Sequence, residues 1–110
     1  MKADLHVHST FSDSTRSPEE IAAVAKVKNV GLISVCDHAT IEAYDRLSDA
    51  CGKNNIKCIL GVELSGTWRD ESLHMLAYNF DRDNDEMKSL IRRHQSEMEC
   101  EYIVYNMSLE

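Results

Sequence analysis

An alternation of strand-like apolar runs with helix-start and helix-stop signals is the feature that most constrains the fold. The clearest helix start is Ser17-Pro18-Glu19-Glu20, which offers an N-cap serine, a proline at the first helical position and a glutamate three residues after the cap. Gly31 then marks the turn into a second apolar run, residues 32–36. Because a repeated strand–helix–strand order favours a parallel sheet with right-handed crossovers, we predict an α/β fold.

The remaining elements follow from hydrophobic spacing and cap residues. Helices are expected over residues 17–28 and from Thr40 to about Cys51. A third helix is expected from about Asn84, after the capping pair Asp83 and Glu86, to the vicinity of Met107. Strands are expected around Leu5 and Val7 and over residues 32–36, 56–62 and 73–78. Glu63 is expected to terminate the strand over residues 56–62. A hairpin near Asp70 is one interpretation of the next stretch, and it would return His74 to the level of Glu63.

Composition indicates one soluble globular domain over residues 1–110. Of its 110 residues, 43% are apolar and 28% are charged. No window approaches the roughly 20 apolar residues that cross a bilayer, and no signal-peptide apolar region follows Met1, so we expect a cytoplasmic protein without a membrane partner. The net charge of -7 opposes attraction to a polyanion, and we expect no stable nucleic-acid scaffold.

The cysteines are expected to be reduced and structural. Cys36, Cys51, Cys58 and Cys100 show no CxxC spacing, and three of them lie among apolar or helical neighbours. Buried free thiols are typical of such positions.

Six side chains form a candidate metal site. His6 and His8 lie two apart in a predicted strand, so both imidazoles point to one side. The other donors fall in the following loop, where apolar runs end, or beyond: Asp13, His38, Glu63 and His74. Imidazole and carboxylate together suit zinc, manganese or iron. A lone strand histidine is more often a hydrogen-bonded structural residue, but α/β folds assemble their sites at such strand ends.

Four motifs resemble the opening half of the polymerase and histidinol phosphatase (PHP) family of metal-dependent phosphoesterases. They are DLHVHSTFSD at residues 4–13, Cys36-Asp37-His38, GVELS around Glu63, and Leu73-His74-Met75-Leu76, in the family's order over roughly residues 4–80. The resemblance implies a distorted (β/α)7 barrel, with metal ions at the carboxyl ends of its strands. A complete barrel needs more residues, so we expect a partial (β/α)7-type barrel of about three or four β/α units, truncated before closure.

The resemblance also implies the ligand set. His6, His8 and Glu63 would hold one metal, Glu63 would bridge to a second that His74 also binds, and Asp13 and His38 would hold a third. The implied cofactors are two or three divalent ions of Mn, Zn or Fe, with Glu63, His38 and Asp13 as the expected catalytic residues. The family also uses a later histidine and a later Asp-x-His pair, and no residues after His74 have that spacing. Each metal would therefore lack at least one family ligand.

The predicted function is hydrolysis of a phosphate ester by a water that a multinuclear divalent metal site activates. The expected partner is a phosphorylated small metabolite, a nucleotide or an oligonucleotide end. One alternative is a catalytically incomplete PHP-like structural or binding module. Another is a metal-dependent amidohydrolase, although no lysine is evidently placed to bridge two metals by carbamylation.

Several residues keep two interpretations. Asp37 is expected either to orient an imidazole or transfer a proton, or to serve a loop or helix cap. Arg16 and Arg69 would contact a substrate phosphate or remain solvated surface charges. Trp68 would stack on a nucleobase or pack under a hairpin.

The chain ends also raise expectations. Leu109 and Glu110 resemble the junction of an expression tag, and a longer natural protein is expected to have been cut here. An exposed strand edge would then favour self-association.

Overall fold

The computed structural model describes residues 1–96 and has a mixed α/β fold. Its elements are β1 (Lys2–Val7), α1 (Pro18–Val27), β2 (Val30–Val35), α2 (Tyr44–Lys53), β3 (Lys57–Cys58), β4 (Gly61–Trp68) and β5 (Glu71–Tyr78). All of them belong to one compact unit, Met1–Phe80, and a second unit begins at Asp81.

The predicted parallel sheet is confirmed. Strands β1, β2 and β3 are hydrogen-bonded in that order, and both pairs are parallel. Beyond β2 the chain continues beside β4, where His38 and Glu63 form an isolated parallel bridge. This bridge connects the parallel sheet to the strands that follow it.

Helix α1 forms as its sequence predicts. The Ser17 hydroxyl accepts a hydrogen bond from the Glu20 N–H at 3.1 Å, and the Glu20 carboxylate accepts one from the Ser17 N–H at 3.5 Å. Its apolar face supplies Ile21, Ala22 and Ala25 to the core. The capping box thus fixes where the loop after β1 ends.

Helix α2 begins later than predicted. It starts at Tyr44 after an Ala43 cap without a side-chain hydrogen bond, whereas the Thr40 hydroxyl accepts from the Glu42 N–H at 3.2 Å and caps only a turn. The start is delayed because the chain after β2 remains extended beside β4 and then turns at Ala39, whose φ is 52°.

The predicted single strand over residues 56–62 is wrong, and Glu63 does not end a strand. Two strands replace it: β3 is two residues long and pairs with β2, while β4 pairs with β5 and contains Glu63. An apolar run cannot reveal such a change of partner, because hydrophobic spacing does not show which strand a segment pairs with.

The hairpin interpretation is confirmed. Strands β4 and β5 are antiparallel, and the two residues between them, Arg69 and Asp70, have φ values of 51° and 65°. Positive φ at both positions is what a type I′ hairpin turn requires. His74 pairs with Ser65, which places its side chain on the same face as Glu63.

The second unit contains a helix over residues 85–96. Asn84, rather than the predicted Asp83, caps it by accepting a hydrogen bond from the Met87 N–H at 2.9 Å. The predicted continuation to Met107 lies outside the described residues.

The described cysteines, Cys36, Cys51 and Cys58, are free thiols. Burial raises the pKa of each, that of Cys58 to about 12. Cys100 lies outside the described residues. Within residues 1–96, no helix is long and apolar enough to cross a membrane, and the cytoplasmic location stays a prediction.

Gly61 allows β4 to approach β2 closely. A Cβ atom there would lie 2.3 Å from the Ser34 Oγ and 2.7 Å from the Cys36 Sγ, and both of these side chains are buried. We therefore expect Gly61→Ala to lower the free energy of unfolding by about 1–3 kcal/mol, as overpacking does. Gly66→Ala in the same strand is the control, since nothing lies within 4 Å of its Cβ position. Equal urea midpoints for the two variants would contradict this account.

Candidate metal centre

The structure brings together all six side chains that the sequence nominates. His6 and His8 stand at the carboxyl end of β1, and Asp13 lies in the loop between β1 and α1. His38 follows β2, while Glu63 and His74 lie on adjacent strands of the hairpin. Parallel strands end at one edge of a sheet, so donors from β1 and β2 meet there, and the hairpin adds its own pair.

The Glu63 carboxylate is the centre of this cluster. Its Oε1 lies 2.6 Å from His6 Nε2 and 3.6 Å from His8 Nε2. Its Oε2 lies 2.9 Å from His38 Nδ1 and 3.2 Å from His74 Nδ1. Glu63 is only 4% exposed, so one buried carboxylate faces imidazoles on both of its oxygens.

Asp13 joins the cluster from the solvent side. Its Oδ2 lies 3.0 Å from His38 Nε2 and its Oδ1 lies 3.5 Å from His8 Nδ1. The Asp13 side chain is 61% exposed. His8 and His38 therefore lie between a buried carboxylate and an open one.

The imidazoles are packed against one another. The rings of His8 and His38 are stacked, with centroids 4.7 Å apart and planes 8° apart. His6 meets His8 edge to face at 5.1 Å. A nearby carboxylate offsets the repulsion between two such rings when they are protonated, whereas a divalent cation binds them in their neutral forms.

The hydrogen-bonding capacity of these residues indicates whether they fit a cation. A neutral imidazole has one N–H and one lone pair, and an ionised carboxylate only accepts. Both nitrogens of His38 face carboxylate oxygens, so a neutral ring satisfies one of them and leaves the other opposed to an acceptor. The His8 Nδ1 is buried and has no hydrogen-bond partner in the described part of the chain. A divalent cation resolves both conflicts, because each lone pair then becomes a ligand.

Two groups of donors meet the spacing that a metal ion requires. One contains His6, His8 and Glu63, and the other contains His8, Asp13 and His38; within each group the ligand atoms lie within 4.8 Å of one another. His8 belongs to both groups, which the family resemblance did not imply.

The electrostatics favour an ionised Glu63. Burial by itself would raise the pKa of this carboxyl, but the hydrogen bond with His6 and the proximity of His38 and His8 outweigh it, so its pKa lies below the usual value. The centre thus holds a buried negative charge directed at its imidazoles.

Three serines near the centre escaped the sequence analysis. The Ser65 hydroxyl lies 3.3 Å from His74 Nδ1, and the hydroxyls of Ser9 and Ser12 contact Asp37. All three lie inside or next to the quoted motifs. The sequence indicated these serines only indirectly, because a buried aspartate needs several hydrogen-bond donors and hydroxyls in a neighbouring motif can supply them.

Trp68 and Arg69 lie at the turn end of the hairpin. Trp68 is 60% exposed and shares a strand face with Leu64, opposite the face of Glu63. The Arg69 guanidinium lies 5.4 Å from the Trp68 ring centre. Arg16 lines an open groove of about 710 Å³ together with His6, His8 and Asp13.

The imidazole and carboxylate donors of this centre suit a divalent metal ion. The PHP domain profile matches residues 4–106, and the chain belongs to this family. The resemblance seen in its four motifs is thereby confirmed.

Named relatives and solved structures agree with this assignment. A 5′-3′ exoribonuclease of Haemophilus influenzae is 37% identical over 91 residues, which are 83% of this chain and 33% of that protein. A 3′,5′-nucleoside bisphosphate phosphatase of Chromobacterium violaceum is 28% identical over 78 residues, 71% of this chain and 27% of that protein. A crystal structure from Bifidobacterium adolescentis, provisionally assigned as a metal-dependent phosphoesterase, superposes with a TM-score of 0.81 at 28% identity over 84% of this chain and 32% of its own. The chain spans about a third of the length of these proteins.

Metal analysis tests the centre directly. We expect the purified chain to bind manganese or zinc and His8→Ala to lose most of it, because His8 serves both donor groups. His94→Ala is the matched control, since His94 lies in the second unit, where its Nδ1 is 2.9 Å from the Leu90 carbonyl oxygen. Metal content by mass spectrometry that is equal in wild type and His8→Ala would contradict the assignment.

Proposed function

We propose that this chain forms the metal-binding part of a phosphoesterase that acts on a nucleotide or on the end of an oligonucleotide. The observation that carries the proposal is the convergence of four imidazoles on the Glu63 carboxylate, with Asp13 completing a second group. Relatives named as an exoribonuclease and as a nucleoside bisphosphate phosphatase support the substrate class. Both of those names describe cleavage of a phosphate ester of a nucleotide.

The residues divide into a buried floor and an exposed rim. Glu63 is the floor, while the side chains of His6, His74 and Asp13 are 48%, 57% and 61% exposed. A substrate phosphate therefore approaches from the side of Asp13. Divalent ions bound here would activate water for attack and neutralise charge on the phosphate oxygens.

The two oxygens of Glu63 face different imidazoles, which supports a role for this carboxylate between two metals. Oε1 faces His6 and His8, whereas Oε2 faces His38 and His74. A carboxylate in this position would bridge two cations and offset their mutual repulsion. Asp13 and His38 would hold a further ion, with His8 as a third donor.

The phosphoesterase is preferred over the two alternatives. A module without catalytic function would not need the exposed rim of donors around Glu63, since buried donors alone suffice for stability. An amidohydrolase is disfavoured, because the relatives named as an exoribonuclease and as a nucleoside bisphosphate phosphatase act on phosphate esters rather than on C–N bonds.

We further propose that the described unit is the amino-terminal part of a (β/α)7-type barrel. Its parallel strands, the helices between them and the superposition with a phosphoesterase structure support this arrangement. The further ligands that the resemblance implies would then come from the part of such a protein that this chain does not include.

Hydrolysis assays separate these functions. With Mn²⁺ present, we expect release of nucleotide from a 5′-phosphorylated RNA or of phosphate from a nucleoside 3′,5′-bisphosphate. Asp13→Asn is expected to reduce the rate by about 100-fold or more, as loss of one charge-stabilising group does. Asp49→Asn on the exposed face of α2 is the control. Metal binding without turnover of either substrate, both by this chain and by a longer protein that supplies the further ligands, would instead favour the binding module, and cleavage of amide substrates alone would favour the amidohydrolase.

Strand β1 is expected to mediate self-association. It forms one edge of the parallel sheet, its residues from Lys2 to His6 are exposed, and Leu5 is 40% exposed. Unpaired strand edges of this kind template pairing with another copy. Light scattering after size exclusion should give a dimer or larger species at high concentration. A monomer at every concentration would contradict the expectation.

A further inference from the structure

Asp37 is a buried carboxylate whose hydrogen bonds all lead to one loop. The residue is 1% exposed. Its Oδ1 accepts from the Ser9 N–H at 2.7 Å and from the Ser12 hydroxyl at 2.7 Å, and its Oδ2 accepts from the Ser9 hydroxyl at 2.6 Å. Three short bonds to neutral donors offset the cost of burying this group.

The loop that these bonds hold is closed around Ser9. The carbonyl oxygen of Ser9 accepts from the N–H groups of Ser12 and Ser14, both at 3.1 Å. The Ser9 hydroxyl also accepts from the Phe11 N–H at 3.1 Å. Ser9 itself is fully buried. The Asp37 carboxylate, which lies outside this loop in the sequence, therefore holds the compact turn that positions Asp13.

The backbone of Asp37 is linked to two other parts of the centre. Its carbonyl oxygen accepts from the Glu63 N–H at 3.0 Å, and the residue after it is His38. One residue thereby connects the loop of Asp13, the His38 segment and the strand of Glu63.

We propose that Asp37 is a positioning residue that sets the distance of Asp13 from His8 and His38, and this inference rests on the proposed metal-dependent function. Its carboxylate partners are serines and a backbone amide, so it acts through the loop rather than on an imidazole. Of the two interpretations that the sequence left open, the contacts favour the loop role. The metal group that depends on it is His8, Asp13 and His38.

Ser12→Ala is the most informative variant. It removes one of the three bonds to Asp37, together with the longer contact of 3.4 Å between the Ser12 hydroxyl and Asp13 Oδ1, and leaves the two bonds from buried Ser9, so the fold should persist. Ser12→Thr retains the hydroxyl and should restore the bond. Asp37→Asn reduces the acceptor capacity of the anchor itself. Ser72→Ala and Asp49→Asn, both at exposed positions, are the matched controls.

Two readouts are measured on the full chain. Without metal, amide hydrogen exchange at residues 9–14 should be faster in Ser12→Ala and Asp37→Asn, with exchange in α2 unchanged. In titrations with Mn²⁺, the affinity for the ion held by His8, Asp13 and His38 should fall about 10- to 100-fold in both variants, as it does when groups that orient ligands are removed. Ser12→Thr and the controls should match wild type.

The outcomes separate the inference from the proposed function. Unchanged exchange in the loop of Ser12→Ala, or faster exchange with wild-type Mn²⁺ affinity, overturns the positioning role. If Asp37→Asn does not fold, Ser12→Ala decides. If the wild type binds no Mn²⁺, the proposed function fails, and the exchange of residues 9–14 alone decides whether Asp37 anchors the loop.

Discussion

The short parallel pairing between the segment after β2 and strand β4 is the contact on which the centre depends. The Glu63 N–H donates to the Asp37 carbonyl oxygen at 3.0 Å, and the Ala39 N–H donates to the Glu63 carbonyl oxygen at 2.9 Å. These two bonds place His38 beside Glu63. The Cys36 N–H extends the same segment toward β1 by donating to the Val7 carbonyl oxygen at 2.7 Å, which brings His6 and His8 to the same edge. The hairpin then returns His74, so a few backbone bonds assemble donors that are far apart in sequence.

The assembled donors are poorly satisfied by one another. Carboxylates accept hydrogen bonds, and each neutral imidazole offers a single N–H. In a ring between two carboxylates, one nitrogen therefore donates to an acceptor, while the lone pair of the other nitrogen is directed at a second acceptor. Protonation of the rings would supply the missing donors, and a divalent cation would use the lone pairs instead. Because protons and metal compete for the imidazoles, affinity for metal falls as the pH is lowered. Glu63 stays ionised throughout the neutral range, since its pKa lies below the usual value for its type.

Much of the fold and most of the centre were accessible from sequence because the signals there are local. The capping box of α1, the parallel sheet implied by alternating strands and helices, and the hairpin all follow from patterns along the sequence. The division between β3 and β4 was not accessible, because an apolar run does not show which strand it pairs with. The late start of α2 has a similar cause: Thr40 is a good cap by its chemistry, yet the bridge at His38 and the turn at Ala39 precede it, and Thr40 caps only a turn. The partners of Asp37 depend on a contact across 25 to 28 positions, which no local pattern encodes.

The central claim is that these side chains coordinate divalent cations, and anomalous X-ray diffraction from crystals grown with Mn²⁺ tests it most directly. The account predicts anomalous density between His6, His8 and Glu63 and between His8, Asp13 and His38, with a further peak beside Glu63 Oε2 and His74. Density for the protein at these side chains without an anomalous peak at saturating Mn²⁺, or peaks confined to other parts of the surface, would contradict it.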